Sequence, residues 1–132
     1  MNAGDTFLIP EPGASLDSHL WIVLSDPSVD AERVLIANLT SFRDDKDQSC
    51  ILLPDDHPIV TKKTCVNYGG IKPVRAADLE RLLNAGQIKP HEPFRPDVLA
   101  RIRQSAAHST RIKLGHWQIL VEQDLIDQSS LG

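Results

Sequence analysis

His19-Leu20-Trp21-Ile22-Val23-Leu24-Ser25-Asp26 and Val34-Leu35-Ile36-Ala37-Asn38-Leu39-Thr40-Ser41 are two apolar blocks, each beginning or ending in polar side chains. Both are bounded by turn formers and are short for helices, so they read as neighbouring strands buried on both faces. Pairing them as a hairpin through Asp26-Pro27-Ser28-Val29-Asp30 brings His19, at the start of one, near Thr40 and Ser41, at the end of the other. The expected result is an imidazole beside two hydroxyls.

Other strands follow on either side. Thr6-Phe7-Leu8-Ile9 opens after Gly4-Asp5 and is stopped by Pro10-Glu11-Pro12-Gly13, with a loop running on to Ser18. Ser49 to Leu53 forms a further strand, ended by Pro54-Asp55-Asp56. His57-Pro58-Ile59-Val60 reads as an edge-like piece, since proline cannot donate to a central ladder. Thr64 to Tyr68 is the fifth candidate, and Gly69-Gly70 allows a sharp turn after it.

The period then changes. Leu79, Leu82 and Leu83, with an acidic start at Asp78 and a stop at Gly86, predict a short helix. A proline-rich linker from Pro90 leads to a second helix that starts at Pro96 and carries a stripe of Val98, Leu99, Ile102 and Ala106. His116 to Ile126 fits a strand, a helix or a docking segment. The expected fold is mainly β with α (α+β), a small curved antiparallel barrel of SH3 size, with about five strands and two or three helices. Residues 1–132 form one domain on this reading, with strands in 1–75 and helices and tail in 76–132.

Composition sets limits on function. Hydrophobic residues make up 41% and charged residues 24%, an ordinary globular mixture that argues against disorder. No apolar run approaches the roughly 18–20 residues that span a bilayer, and no basic-then-apolar leader opens the chain, so the expected location is cytoplasmic, without membrane. Cys50 and Cys65 each sit in apolar segments and are expected as reduced, buried thiols. The net charge is −4, but residues 1–60 carry 3 Lys/Arg against 11 Asp/Glu, while residues 61–132 carry 11 against 7. A basic second half permits phosphate contacts without requiring them.

The order of segments resembles the PemK/MazF-like toxins, SH3-like barrels of type II toxin–antitoxin systems. In that family a Gly-Asp starts the first strand, a mobile loop follows, an Arg-Pro precedes an apolar strand ending in Ser, and a later strand ends in Thr-Ser. Here those places hold Gly4-Asp5, the loop Pro10 to Ser18, His19-Leu20 before Trp21 to Ser25, and Thr40-Ser41. Cys50-Ile51-Leu52-Leu53-Pro54 and the stretch from Thr64 to Val74 are similar to later family strands, so the resemblance covers roughly residues 4–83. Two departures concern catalysis: the family arginine falls on His19, and Lys72 replaces a second one.

The resemblance implies a metal-independent endoribonuclease that cleaves single-stranded RNA to a 2′,3′-cyclic phosphate, needs no cofactor, pairs with a cognate antitoxin protein and forms a homodimer. Histidine is the side chain that ordinarily titrates nearest neutrality, so the residue type at His19 suits acid/base work; the alternative is a strand-capping histidine bonded to Asp17. Thr40 and Ser41 would hold the scissile phosphate, or simply satisfy turn backbone. Lys62, Lys63, Lys72 and Arg75 would bind RNA phosphate, or remain solvated. Tyr68 is the candidate for base stacking, Trp21 being better suited to the core. His57 is a possible second acid/base; Asp55-Asp56-His57 lacks a second histidine at ligand spacing, so no metal site is expected. The rival is a non-catalytic barrel that binds a protein, by CcdB-like target poisoning or through the Trp117-Ile119-Leu120-Val121 tail. A barrel-type immunity or structural protein of a mobile element is a third possibility.

Overall fold

The computed structural model describes residues 1–10 and 18–127. Seven strands form one antiparallel sheet: β1 (Thr6–Pro10), β2 (Ser18–Val23), β3 (Arg33–Ser41), β4 (Ile51–Leu52), β5 (Thr64–Val66), β6 (Lys72–Arg75) and β7 (Lys89–His91). Three helices accompany them: α1 (Ala76–Asn84), α2 (Pro96–Ser105) and α3 (Leu114–Glu122). The architecture is therefore α+β, as the change of period indicates. Among the described residues, no helix is long and apolar enough to cross a membrane.

The β2–β3 hairpin is the centre of the sheet, in the register Trp21↔Asn38, Ile22↔Ala37 and Val23↔Ile36. Its connection is stiffened by two aspartates. Asp26 Oδ1 accepts from the Ser28 amide and hydroxyl at 2.9 and 2.7 Å, and Asp30 Oδ1 accepts from the amides of Glu32 and Arg33 at 3.0 and 3.1 Å. Ser25 is fully buried because its hydroxyl accepts from the Leu35 amide at 2.8 Å.

Alternation along these strands explains the two apolar faces. Leu20, Ile22, Leu24, Leu35, Ala37 and Leu39 point to one side, against Val98, Leu99 and Ile102 of α2 and Leu120 of α3. Trp21, Val23, Val34 and Ile36 point to the other, against Phe7 of β1 and Ala76 and Leu79 of α1. Each fully buried Leu or Ile contributes about 1.5–3 kcal/mol of transfer free energy, enough to hold a helix layer on either side.

This two-sided covering differs from the expected barrel. The sheet runs β4-β5-β3-β2-β1-β7, with β6 also on β3, and among the described residues no pairing joins β7 to β4 or β6. Among the described residues the sheet is open, with seven strands rather than about five. A small closed barrel has one interior, whereas β2 and β3 carry apolar side chains on both faces, and helices cover both. Two strands escaped the sequence reading because proline sits in each: Pro73 in β6 opposite Leu35, and Pro90 in β7 opposite Phe7. Both strands lie at margins of the sheet, where the missing N–H does no harm. Conversely, His57 to Val60 is not a strand; it follows a 3₁₀ turn at Pro54–Asp56 and closes a turn of its own through Val60 N–H to His57 C=O at 3.0 Å.

Candidate nucleic-acid interface

β3 changes neighbours midway. Its first residues pair with β6, Ile36 facing Lys72, and its last pair with β5, Leu39 facing Val66 and Thr40 facing Cys65. Asn38 stands at the change. Its carbonyl accepts the Asn67 amide at 2.9 Å and its side-chain Oδ1 accepts from Asn67 Nδ2 at 3.1 Å. The 3₁₀ turn at Tyr68–Gly70 then carries the chain from β5 to β6. Gly70 leaves the space for this pair: a Cβ on it would overlap Asn67 Nδ2 and come within 3.1 Å of Asn38 Oδ1, so the Asn67 amide would have to shift.

Strand parity gathers the chemistry on the α1 side of the sheet. Trp21, Ile36 and Lys72 share that side, and Lys72 Nζ lies over the Trp21 ring at 5.2 Å from its centroid. Asn38 and Thr40 follow Ile36 at two-residue steps on the same side. His19 is two residues before Trp21, and extending the hairpin register sets it across from Thr40. Its Nδ1 lies 3.2 Å from the Leu39 carbonyl oxygen, to which it donates. That bond orients the ring and places the hydrogen of the neutral imidazole on Nδ1.

Beside this row runs a groove of about 510 Å³ between the sheet and α1, lined by Ile9, Trp21, Arg33, Lys72, Arg75 and Asp78 among others. Arg33 and Arg75 are direct cross-strand partners and both are exposed; at the margin of the sheet they alternate to the side opposite Lys72, and Arg33 also lines the cavity beside α3. Like charges placed opposite each other destabilise a sheet, so this pair costs stability unless an anion bridges it. The carboxylate lining the groove, Asp78, is engaged by Arg81 at 3.4 Å.

The residues singled out from sequence thus separate. His19, Thr40 and Lys72 lie on one face, with Arg75 at the groove. Ser41 alternates to the opposite side of β3 from Thr40 and pairs with Thr64. Lys62 and Lys63 are exposed just before β5, where the Lys63 carbonyl accepts the Phe42 amide at 3.1 Å and Lys63 Nζ sits 4.0 Å from the Phe42 ring centroid. They flank the far end of β3, about 20 Å from Lys72 by strand rise. The loop from Pro10 to Ser18 that the resemblance matches to the family's mobile loop falls largely on residues 11–17, outside the described residues.

Two expectations are corrected. Tyr68 is fully buried and its hydroxyl donates to the Ile102 carbonyl at 2.7 Å, so the ring packs under α2 and offers no face to a base. Burial pushes its phenol far above the ordinary range. His57 is 3% exposed, with Nε2 donating to the Glu92 carbonyl at 2.6 Å and Nδ1 accepting from the Ile59 amide at 3.1 Å, while Phe94 packs at 4.6 Å between ring centroids. Both ring nitrogens are used in holding the fold, so it has none left for acid/base work. The neighbouring Asp56 bonds Arg101 of α2 at 2.6 Å, and among the described residues no group of three or more His, Cys, Asp or Glu side chains is arranged to hold a metal ion.

Sequence reasoning missed Asn38, Asn67 and Arg33. Asn38 left a signal, being the single polar residue within Val34 to Leu39. Asn67 and Arg33 left none, because their roles depend on which strands flank β3. No protein-family model matches this chain, and no curated protein matches it.

Proposed function

We propose that this chain is a metal-independent endoribonuclease of the PemK/MazF-like toxin kind, cleaving single-stranded RNA on the α1 side of its sheet. The observation that carries this reading is one shared face: an oriented imidazole (His19), a hydroxyl (Thr40) and an ammonium (Lys72), next to the groove between the sheet and α1. On this reading the β1–β2–β3 meander with β5 and β4 is an SH3-like barrel opened out by the added β6 and β7. A cognate antitoxin protein, homodimer formation and a cytoplasmic setting belong to the same proposal.

The chemistry uses few groups. His19 Nε2 takes the 2′-hydroxyl proton as the 2′-oxygen bonds to phosphorus. The Thr40 hydroxyl and Lys72 ammonium stabilise the negative charge that grows on the non-bridging oxygens. The 5′-oxygen departs and takes a proton from water, leaving a 2′,3′-cyclic phosphate.

Incubation of a long RNA with the wild type and His19→Ala in excess chelator tests it. The wild type is expected to produce cyclic-phosphate ends, and the variant to lose about 10²–10⁴-fold in rate, the range for general-base removal. Equal and negligible cleavage by both overturns the ribonuclease reading.

The non-catalytic rival draws on α3. Leu114 is 69% exposed and Trp117 is half-buried, leaving apolar surface along that helix. Deleting the tail is a poor test of this rival, because Leu120 and Ile126 are core residues. Leu114→Ser leaves the core intact, and loss of partner capture with that variant, in a wild type that does not cleave RNA, favours the rival.

A further inference from the structure

We propose that Asn38 is a further substrate-contacting residue, its side-chain Nδ2 donating to a non-bridging oxygen of the scissile phosphate; this rests on the ribonuclease reading above. Asn38 is 8% exposed in the middle of the central strand, where an amide costs desolvation unless both of its ends are bonded. Among the described residues only one end is bonded. Oδ1 accepts from Asn67 Nδ2, and the main-chain bond from the Asn67 amide to the Asn38 carbonyl holds the two residues in register.

That arrangement decides which end of the amide faces outward. With Oδ1 committed to Asn67, the two hydrogens of Nδ2 point away from the pair. Among the described residues Nδ2 has no acceptor, so its hydrogens remain for a ligand. They do so on the face that carries Thr40, His19 and Lys72. His57 makes the contrast: a polar side chain used purely for structure has both its nitrogens bonded within the protein.

The surroundings select the ligand. Thr40 supplies a hydroxyl and Lys72 an ammonium, while Asp78, in the adjoining groove, is taken by Arg81. A cluster of donors suits acceptor oxygens carrying charge, which a phosphodiester provides. Gly70 maintains the device by leaving the space in which the Asn67 amide lies. Asn67 is a positioning residue in this scheme and Asn38 the contact.

The test is single-turnover cleavage of an RNA oligonucleotide by the wild type, Asn38→Asp and Asn67→Ala, repeated with each phosphorothioate diastereomer at the cut site. Asn38→Asp keeps the acceptor for Asn67 and nearly the same volume, but replaces the donor with a carboxylate oxygen. Loss of about 10²–10³-fold in rate is expected, the range for removing one oxyanion donor, together with loss of the wild type's preference between diastereomers. Should Asn38→Asp fail to fold, Asn67→Ala stands in: it leaves Asn38 present but unoriented, and is expected to weaken the diastereomer preference. A folded Asn38→Asp that cleaves within two-fold of an active wild type, with the same preference, overturns this inference alone. An inactive wild type overturns the ribonuclease reading and this inference with it.

Discussion

The Asp47 carboxylate accepts the Ser109 hydroxyl at 2.6 Å across 62 residues of chain, tying the β3–β4 connection to the segment after α2. Its other oxygen accepts from the Ser49 hydroxyl at 2.6 Å and the Ser49 amide at 3.0 Å. Burial works to raise the pKa of this group, but the hydrogen bonds from Ser109 and Ser49 and the charge of Arg111 outweigh it and hold the carboxyl below its ordinary value.

The sign of the acid response follows. A carboxyl whose folded pKa is depressed binds its proton more readily when unfolded, so its contribution is complete above the unfolded pKa and is lost as pH falls through the folded one. Asp56, held down by its bond to Arg101 against the opposing effect of burial, acts in the same direction. Thermal unfolding followed by circular dichroism is expected to be level from neutrality to the top of the carboxylate range and to fall below it. Asp47→Asn should cost about 1–3 kcal/mol at neutral pH, as the charge-assisted bonds are lost, and should make the acid limb shallower.

Glycines at adjacent positions should respond differently. In Gly70→Ala the new Cβ overlaps the Asn67 amide, whereas in Gly69→Ala it meets Arg111 Cβ at 3.4 Å, an ordinary contact. Denaturant titration is expected to show a loss of about 1–3 kcal/mol for Gly70→Ala, typical of overpacking. Gly69→Ala should stay within about 0.5 kcal/mol of the wild type.

The opposed arginines offer a test in which stability and binding move in opposite directions. Arg33→Ala removes one member of a like-charge cross-strand pair and should raise stability by about 0.2–1 kcal/mol. The same variant should weaken RNA binding and reduce the slope of log affinity against log salt by about 0.7, the single-strand value per phosphate contact. Lys62→Ala, at the far end of β3, should change that slope less. Equal slopes for wild type and Arg33→Ala exclude Arg33 as a phosphate contact.

His57→Ala should act on stability and leave the chemistry alone. Its two ring bonds and the Phe94 contact are lost together, for a cost of about 2–4 kcal/mol. Under conditions where the variant remains folded, its pH–rate profile for RNA cleavage is expected to superimpose on the wild type.

Cys50 and Cys65 are both buried free thiols, and burial raises the pKa of each. Neither should react with an aromatic disulfide reagent at neutral pH until denaturant is added, when both should react at the ordinary thiol rate.

Local physics was enough for the central hairpin. Residues 20–24 and 34–39 alternate between two faces, and only a strand covered on both sides accommodates that pattern, so β2, β3 and their pairing were legible. α2 was equally plain, from Pro96 at its first turn and the spacing of Val98, Leu99 and Ile102. α3 was not, because its apolar residues run nearly all round the helix and give no single stripe to read.

The sequence by itself determined the β2–β3 hairpin and helices α1 and α2, whose apolar spacing is local, and placed His19 at the end of that hairpin that also holds Thr40. Tertiary structure alone decided which polar groups remain available for chemistry. Parity separates Thr40 from Ser41, since adjacent residues of a strand face opposite ways. His57 and Tyr68 are consumed by carbonyls 35 and 34 residues further along the chain, Glu92 and Ile102. Asn38 gains its orientation from Asn67, 29 residues away, at the point where β3 exchanges β6 for β5. Secondary structure is set by forces within a few residues, whereas the freedom of a donor or acceptor depends on whatever long-range packing brings beside it.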